Sequence, residues 1–287
     1  MILVTGATGQ LGTTVIRQLL QKVPPAQITA FVRDESKAVY LGKQGLPIRI
    51  GTYDDTKSLD HAMQGIKTVL LIAGTDEQNR VNQHQNVVDA ARRAGVQLIA
   101  YTSRALKDPA TLVNQLMKGH FQTEDYIKAS GLSYRLFQNI LYMDTIPQFV
   151  GGEAVFERGI NVPAGQGKVA LALRSEMGEA IANALVTPHE GSTTYCLTGS
   201  ESYSFYDIAE VLTNLSGQSV VYSPVKPATF EAGLIERGLS DTVARRITGF
   251  ITDIANGQED LVSPDLERLL GRKPTTLNEG LKLLYNL

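Results

Sequence analysis

Short apolar runs alternate with amphipathic segments through the first half of the chain. The apolar runs are nearly continuous, as in residues 67–73, which is typical of parallel strands covered on both faces. Between them, apolar residues such as Leu11, Val15 and Leu19 recur at helical spacing. This order predicts a doubly wound α/β domain on a parallel sheet. The predicted strands are 2–5, 27–32, 47–50, 67–73, 97–102 and 133–137, and the predicted helices are 11–22, 36–43, 59–63, 80–94 and 111–129.

The pattern changes after Asn139. Glycine and proline are frequent between residues 147 and 167, which indicates loops and short strands. We therefore predict two domains, residues 1–150 and a smaller, mostly helical lobe of residues 151–287, with segments of the lobe able to return to the sheet. The predicted helices of this half are 175–186, 205–215, 229–237, 242–256, 264–270 and 277–285, and its predicted strands are 193–197 and 219–222.

The composition is that of an ordinary folded protein and narrows the functional class. Lys and Arg number 27 against 29 Asp and Glu, a formal charge of -2, so we predict no nucleic-acid partner. Cys196 is the single cysteine, which excludes an internal disulfide. No apolar run approaches the ~18 residues of a membrane-spanning helix, and the N-terminus has no signal-peptide pattern. These features favour a cytoplasmic protein without a membrane partner.

The sequence TGATGQLG, residues 5–12, follows the first predicted strand and opens the first helix. Glycines allow a tight turn, a close approach of pyrophosphate to the backbone, and close helix–strand packing. The N–H groups at the helix N-terminus attract phosphate. Although the Gly-x-x-Gly-x-x-Gly spacing is not the standard fingerprint, its position predicts a Rossmann-type dinucleotide site rather than a packing turn. The predicted contacts are Gly6, Thr8, Gly9, Gln10, Leu11 and Gly12.

The end of the second strand indicates which dinucleotide binds. A NAD site usually has an acidic residue there, but this chain has Arg33 before Asp34, with Lys37 one helical turn beyond. A guanidinium can bind a 2′-phosphate through two hydrogen bonds, so we predict NADP(H) in preference to NAD(H). The alternative is that Arg33 is a surface cation. Asp34 is expected to cap the next helix in either case.

Three further residues are predicted cofactor contacts. Asp54 follows the third strand and is a candidate for the adenine amino group, with an N-cap role as the alternative. Ala73 and Gly74 end the fourth strand, where small residues let the backbone approach the ribose and nicotinamide.

Several motifs together resemble a known family. They are the glycine loop, the strand end 31–33, residues 100–103, residues 136–139 and the stretch 163–182. The chain resembles the NmrA-like atypical short-chain dehydrogenases along essentially its whole length, and within them the branch of type 2 NAD(P)H:quinone oxidoreductases and triphenylmethane reductases. The resemblance implies NADPH binding and hydride transfer to a quinone-like or cationic dye acceptor, without flavin or metal.

Typical short-chain dehydrogenases carry a Tyr-x-x-x-Lys pair on the helix after the fifth strand, where the lysine lowers the tyrosine pKa. Among eleven tyrosines, only Tyr53 with Lys57 and Tyr222 with Lys226 have this spacing. Neither pair lies on the corresponding helix, which weakens alcohol oxidation and sugar epimerisation more than quinone reduction.

At the position of that pair stand His120 and Glu124, four residues apart on one helix face. A nearby carboxylate favours the imidazolium, which would make His120 a proton donor or a hydrogen-bond donor to substrate. The alternative is an ion pair on the helix surface without chemistry. Quinones and cationic dyes can accept hydride first and take a proton from water afterwards.

Ser103 ends the fifth strand, where the superfamily positions a substrate hydroxyl, and we count it among the predicted cofactor contacts. Gln138 and Asn139 follow the sixth strand, where their amides could hold the nicotinamide carboxamide or a quinone oxygen. Together with His120 they are the candidate catalytic residues, although Asn139 is alternatively a turn residue. Tyr142 and Phe149 suggest a planar apolar acceptor site, unless Phe149 belongs to the core.

No metal site is predicted, because His61, His84 and His189 stand apart from one another and from the cysteine. We therefore favour an NADPH-dependent oxidoreductase acting on a planar acceptor such as a quinone. The alternatives are a non-catalytic NADP(H)-sensing regulator and, ranked lowest, a sugar-nucleotide epimerase. The sequence leaves the natural acceptor and the oligomeric state open.

Overall fold

The computed structural model of the chain describes residues 1–76, 78–188 and 191–287. Its strands are β1 (Ile2–Val4), β2 (Ile28–Val32), β3 (Ile48–Ile50), β4 (Thr68–Leu71), β5 (Leu98–Arg104), β6 (Ser133–Asn139), β7 (Lys168–Val169), β8 (Thr193–Leu197) and β9 (Tyr203–Ser204). The helices of the first half are α1 (Gln10–Leu19), α2 (Val39–Lys43), α3 (Thr56–Ala62), α4 (Arg80–Arg93) and α5 (Gln115–Ala129). Those that follow are α6 (Ile146–Val150), α7 (Val155–Arg158), α8 (Arg174–Val186), α9 (Phe205–Ser216), α10 (Pro227–Glu236), α11 (Asp241–Ala255), α12 (Asp265–Leu270) and α13 (Leu277–Tyr285).

The main sheet has seven strands in the order β3-β2-β1-β4-β5-β6-β8. Strand β1 pairs in parallel with both β2 and β4, so that Ile2 lies opposite Ile28 on one side and Thr68 on the other. The order reverses between β1 and β4, as in Rossmann-type folds, and such switch points open the crevice in which nucleotides bind. The predicted α/β class and the mostly helical C-terminal lobe are confirmed.

By compactness the described chain forms two units. The first comprises Met1–Arg104, Lys118–Gln138 and Ser175–Cys196, and the second comprises Ala105–Met117, Asn139–Arg174 and Leu197–Leu287. The first contains nearly all of the large sheet, and the second contains α6, α7, α9–α13 and an antiparallel pair of β7 with β9. The predicted boundary between two domains at residue 150 remains a prediction.

The core of the first unit explains the continuous apolar runs. All five residues of β2 and all seven of β5 are buried, as the parallel-sheet interpretation requires. Side chains from the strands pack against α3, α4 and α5. Buried members of this cluster include Leu3, Leu59, Val69, Leu71, Val87, Ile99, Ile127 and Leu136.

The structure corrects one predicted strand and the predicted end of another. The predicted strand 219–222 is a single bridge, in which Tyr222 pairs with Ile160. The partner segment turns at Gly159, whose φ is +67°, so the pairing does not extend. Strand β6 continues through Gln138 and Asn139, which were predicted to follow it.

Candidate functional site

The glycine loop adopts a tight turn. Gly6 has a φ of +57°, and its carbonyl oxygen accepts the Gly9 N–H at 2.9 Å. Gly9 occupies the N-cap position of α1. A Cβ atom added to Gly12 would collide with the Gly6 carbonyl oxygen, so only glycine fits where the helix passes the strand end.

The N-terminus of α1 suits a phosphate. No side chain caps it, and its first turn contains no acidic residue. The backbone N–H groups there carry partial positive charge, which attracts anions. Gly9 and Gln10 are exposed and Thr8 is half-buried, whereas the side chain of Leu11 is buried and leaves only its backbone for a ligand.

A buried hydroxyl ties the start of the loop to the end of β4. Thr5 Oγ1 donates to the Leu70 carbonyl oxygen at 3.1 Å and accepts the Ile72 N–H at 2.9 Å. The Tyr53 hydroxyl donates to the same Thr5 oxygen at 2.5 Å. Burial raises the pKa of Tyr53 above its usual range, so its phenol stays protonated and holds the loop.

Arg33 and its acidic neighbour have different surroundings. Asp34 caps a short 3-10 turn by accepting the Ser36 N–H at 3.0 Å and the Ser36 hydroxyl at 2.6 Å, which confirms its predicted capping role. Arg33 is exposed directly after β2 and, in the parts of the chain that the structure describes, has no ion-pair or hydrogen-bond partner. Lys37 is also exposed, with its ammonium 3.9 Å from Asp34.

Asp54 does not cap α3. The N-cap residue is Asp55, which accepts the N–H groups of Lys57 and Ser58 at 3.0 and 3.2 Å, so the capping alternative for Asp54 is wrong. Asp54 instead accepts the side-chain amide of Gln83 at 3.0 Å and is exposed.

Backbone beyond β4 is held by side chains from neighbouring elements. The Ala73 N–H donates to Thr102 Oγ1 at 2.9 Å, and the Gly74 N–H donates to His84 Nε2 at 2.9 Å. The nearest atom to a Cβ added at Gly74 would lie 3.5 Å away, an ordinary contact. The protein itself therefore does not demand glycine at this position, which is consistent with space kept for a ligand.

His120 is buried in the first unit and faces cations and a phenol. Its Nδ1 lies 3.0 Å from the Tyr101 hydroxyl, and its Nε2 accepts Arg80 Nη1 at 3.4 Å. Burial, followed by the positive charges of Arg80 and Arg104, lowers the pKa of His120 well below its usual range. The expectation of an imidazolium is therefore wrong, and the imidazole is neutral at physiological pH.

The carboxylate that was expected to act on His120 has other partners. Glu124 is buried and accepts the Gln138 side-chain amide at 3.0 Å and the Lys128 ammonium at 3.2 Å. Because successive residues of a strand point to opposite faces, Gln138 lies on the face of β6 that packs on α5, and Asn139 points to the other face.

Two candidate residues carry buried polar atoms that no side chain satisfies. Ser103 is 2% exposed, and its hydroxyl has no hydrogen-bond partner among the described residues. Asn139 is 1% exposed; its amide nitrogen donates to the Tyr142 hydroxyl at 3.2 Å, and its Oδ1 accepts nothing within that same set. Unsatisfied buried polar atoms are rare and costly, and they are common where a ligand or water completes the bonding.

The predicted aromatic residues have distinct environments in the second unit. Arg174 lies over the Tyr142 ring, 4.6 Å from its centroid. Phe149 is 8% exposed and forms part of the wall of a cavity of about 360 Å³, together with Phe230, Arg158 and Arg237. The cavity has an aromatic wall and two cationic side chains, and Phe149 is both largely buried and part of it.

The described ranges contain neither a metal-binding cluster nor a membrane-spanning helix. No group of three or more His, Cys, Asp or Glu side chains is arranged to hold a metal ion there. His61 is exposed, and His189 lies outside the described residues. Across the same ranges no helix combines the length and hydrophobicity needed to span a bilayer.

Five residues whose side chains support the site through hydrogen bonds were not predicted from the sequence: Thr5, Tyr53, Arg80, Tyr101 and Thr102. Thr5 opens the glycine loop, and its position is the one local signal that could have identified it. The others meet only through pairing of distant strands and packing of α4 on α5, which short-range patterns do not encode.

Known proteins are similar to this chain along nearly its whole length. The NmrA-like family profile matches residues 1–281. The chain is 37% identical over 289 aligned positions to quinone oxidoreductase 2 of Escherichia coli (strain K12), covering 100% of this chain and 99% of that protein.

Two solved structures are similar to this chain in fold over nearly its full length. The triphenylmethane reductase of Citrobacter sp. in complex with NADP(H) superposes with a TM-score of 0.93 at 36% identity, covering 99% of this chain and 100% of that one. The NADPH-dependent quinone oxidoreductase of Escherichia coli in complex with NADPH gives a TM-score of 0.91 at 34% identity, covering 100% of both chains.

Proposed function

Because the chain belongs to the NmrA-like family along nearly its whole length, we propose that it is an NADPH-dependent oxidoreductase that transfers hydride to a quinone or a similar planar acceptor. Two relatives are named for this chemistry, a quinone oxidoreductase at 37% identity and a triphenylmethane reductase at 36%. Similarity over the full length of both supports carrying the reaction class over to this chain.

The exposed Arg33 is the observation that carries the preference for NADPH. It directly follows β2, where the ribose of a bound dinucleotide lies in this fold. Its own acidic neighbour, Asp34, is engaged by Ser36. A guanidinium that bonds no other described residue is suited to a 2′-phosphate, and Lys37 adds a second positive charge nearby.

The remaining cofactor contacts follow from the two strand ends at the switch point. We assign the pyrophosphate to the glycine loop and the N-terminus of α1. Ala73 and Gly74 provide a backbone that the ribose can approach, and in the same unit Ser103 offers the nicotinamide side a buried hydroxyl that bonds no other described residue. When bound, the nicotinamide supplies the hydride, and the protein binds and orients the reactants.

Proton transfer does not require an acidic side chain in this scheme. A quinone that accepts hydride becomes a hydroquinone anion, and water supplies its proton. The neutral, buried His120 is compatible with this order of events, since it is hydrogen-bonded to Tyr101 and is not an imidazolium acid near neutral pH. We infer that neither flavin nor metal takes part.

The test is NADPH consumption, followed by absorbance, with and without a simple quinone and with NADH in parallel. Acceptor-dependent consumption that favours NADPH supports the proposal. The neutral His120 also favours a second candidate, a non-catalytic NADP(H) sensor. Tight NADPH binding without turnover across a panel of quinones and triphenylmethane dyes would replace the oxidoreductase by that sensor.

A further inference from the structure

We propose that His84 is a positioning residue for the dinucleotide, because its imidazole fixes the backbone of Gly74 where the end of β4 meets the ribose and nicotinamide. The proposal rests on the proposed function in one respect, since it assumes that NADPH binds at this strand end. His84 itself lies behind the site, is completely buried and touches the ligand only through the backbone that it holds.

Both ring nitrogens of His84 have a defined role. Nε2 accepts the Gly74 N–H at 2.9 Å, so the proton of the neutral ring is on Nδ1. Nδ1 therefore donates to Thr123 Oγ1 at 2.9 Å, and that hydroxyl donates to the Gly119 carbonyl oxygen at 2.8 Å. These hydrogen bonds connect the backbone beyond β4 through α4 to α5, and the Tyr101 hydroxyl also hydrogen-bonds Thr123.

The surroundings of His84 keep it neutral. The titratable groups that face it are Arg80 from its own helix, His120 from α5, and two tyrosines, Tyr101 from β5 at 5.3 Å and Tyr53 at 6.2 Å between ring centroids. Burial, and secondarily the positive charge of Arg80, lower the pKa of His84 to about 3. The lone pair that Gly74 requires is thus present throughout the physiological pH range.

The segment beyond β4 has an unusual hydrogen-bond arrangement. Three successive N–H groups donate to side chains: Ile72 to Thr5, Ala73 to Thr102, and Gly74 to His84, each at 2.9 Å. The path of this backbone is therefore set by side chains of Thr5 directly after β1, Thr102 of β5 and His84 of α4, and not by backbone pairing with a neighbouring strand. His84 accepts from the last of the three N–H groups, that of Gly74. Removing the imidazole therefore frees the part of this backbone that we place nearest to the ligand.

Two substitutions test the two ring nitrogens of His84 separately. His84→Gln places a side-chain oxygen near the former Nε2 and keeps an acceptor for Gly74, whereas His84→Asn reaches only the Nδ1 position and keeps the contact with Thr123. We expect His84→Asn and His84→Leu to weaken NADPH binding about five- to tenfold, the effect of one lost neutral hydrogen bond. His84→Gln should bind within about twofold of the wild type.

The readout is the dissociation constant of NADPH, measured by titration of its fluorescence without an acceptor, alongside thermal unfolding. Thr123→Val is the matched control: it removes the far hydrogen bond, and NADPH affinity should change less than twofold. If all three His84 variants bind NADPH like the wild type, or if affinity follows thermal stability regardless of which end is kept, His84 is merely structural. Failure of the wild type to bind NADPH would instead overturn the proposed function.

Discussion

The side-chain amide of Gln138 donates to both carboxylate oxygens of Glu124, at 3.0 and 3.3 Å. Removing the carboxylate leaves a part-buried donor without its acceptor, which costs about 1–3 kcal/mol. We expect Glu124→Ala to lower the free energy of unfolding by about that amount. Glu124→Gln keeps an accepting oxygen and should cost less than about 1 kcal/mol. Denaturant unfolding of both variants measures the difference, and equal losses would contradict the role assigned to this pair.

The two buried histidines predict how stability depends on pH. Burial lowers the pKa of His84 to about 3 and that of His120 well below its usual range, compared with about 6.5 in an unfolded chain. Below about pH 6.5 the unfolded state therefore binds protons that the native state does not. The free energy of unfolding should fall as the pH is lowered, and His84 alone should contribute about 2 kcal/mol to that fall between pH 7.5 and 5.

Urea unfolding at pH 7.5 and pH 5 checks this dependence. His84→Gln removes one titrating group, so its loss of stability between the two pH values should be smaller than that of the wild type by about 2 kcal/mol. His61→Gln is the control: its side chain is exposed, and the loss should match that of the wild type. The interpretation fails if His84→Gln and the wild type lose the same amount.

Sequence patterns could predict those features that are encoded locally. The glycine loop is one example, because the turn at Gly6 and the close helix contact at Gly12 both lie within eight residues. Asp34 is another, since its cap involves a residue only two positions away. The order of strands and helices follows from periodicity in the same way.

Helical spacing alone gave the wrong partner for His120. Glu124 does lie four residues away, but β6 brings Gln138 to that carboxylate, and β5 brings Tyr101 to the imidazole. The partners of a buried polar group are set by tertiary packing, and many residues distant in sequence could become its partner. The hydrogen bond from Gly74 to His84 could not be predicted for the same reason.

Asp253 joins distant segments of the second unit. This buried carboxylate on α11 accepts the N–H groups of Val113 and Asn114 at 2.8 and 3.1 Å. We expect Asp253→Ala to cost about 1–3 kcal/mol of unfolding free energy and to increase proteolysis near residue 113, because two backbone donors lose this acceptor. Thr252→Ala, beside it on the same helix, should change stability by less than about 0.5 kcal/mol. Limited proteolysis with denaturant unfolding tests both, and similar behaviour of the two variants would contradict the assignment.

Arg33 offers the most direct test of cofactor preference. Arg33→Asp removes a charge-assisted hydrogen bond to a 2′-phosphate, worth about 1.5–3 kcal/mol, and adds repulsion. We therefore expect the KM for NADPH to rise at least about tenfold, while the KM for NADH stays within about threefold, since NADH lacks the phosphate. Lys37→Ala should have a smaller effect on NADPH, because its ammonium lies near Asp34 and its side chain is 71% exposed. An equal rise for NADPH and NADH in Arg33→Asp would mean that this guanidinium does not contact the 2′-phosphate.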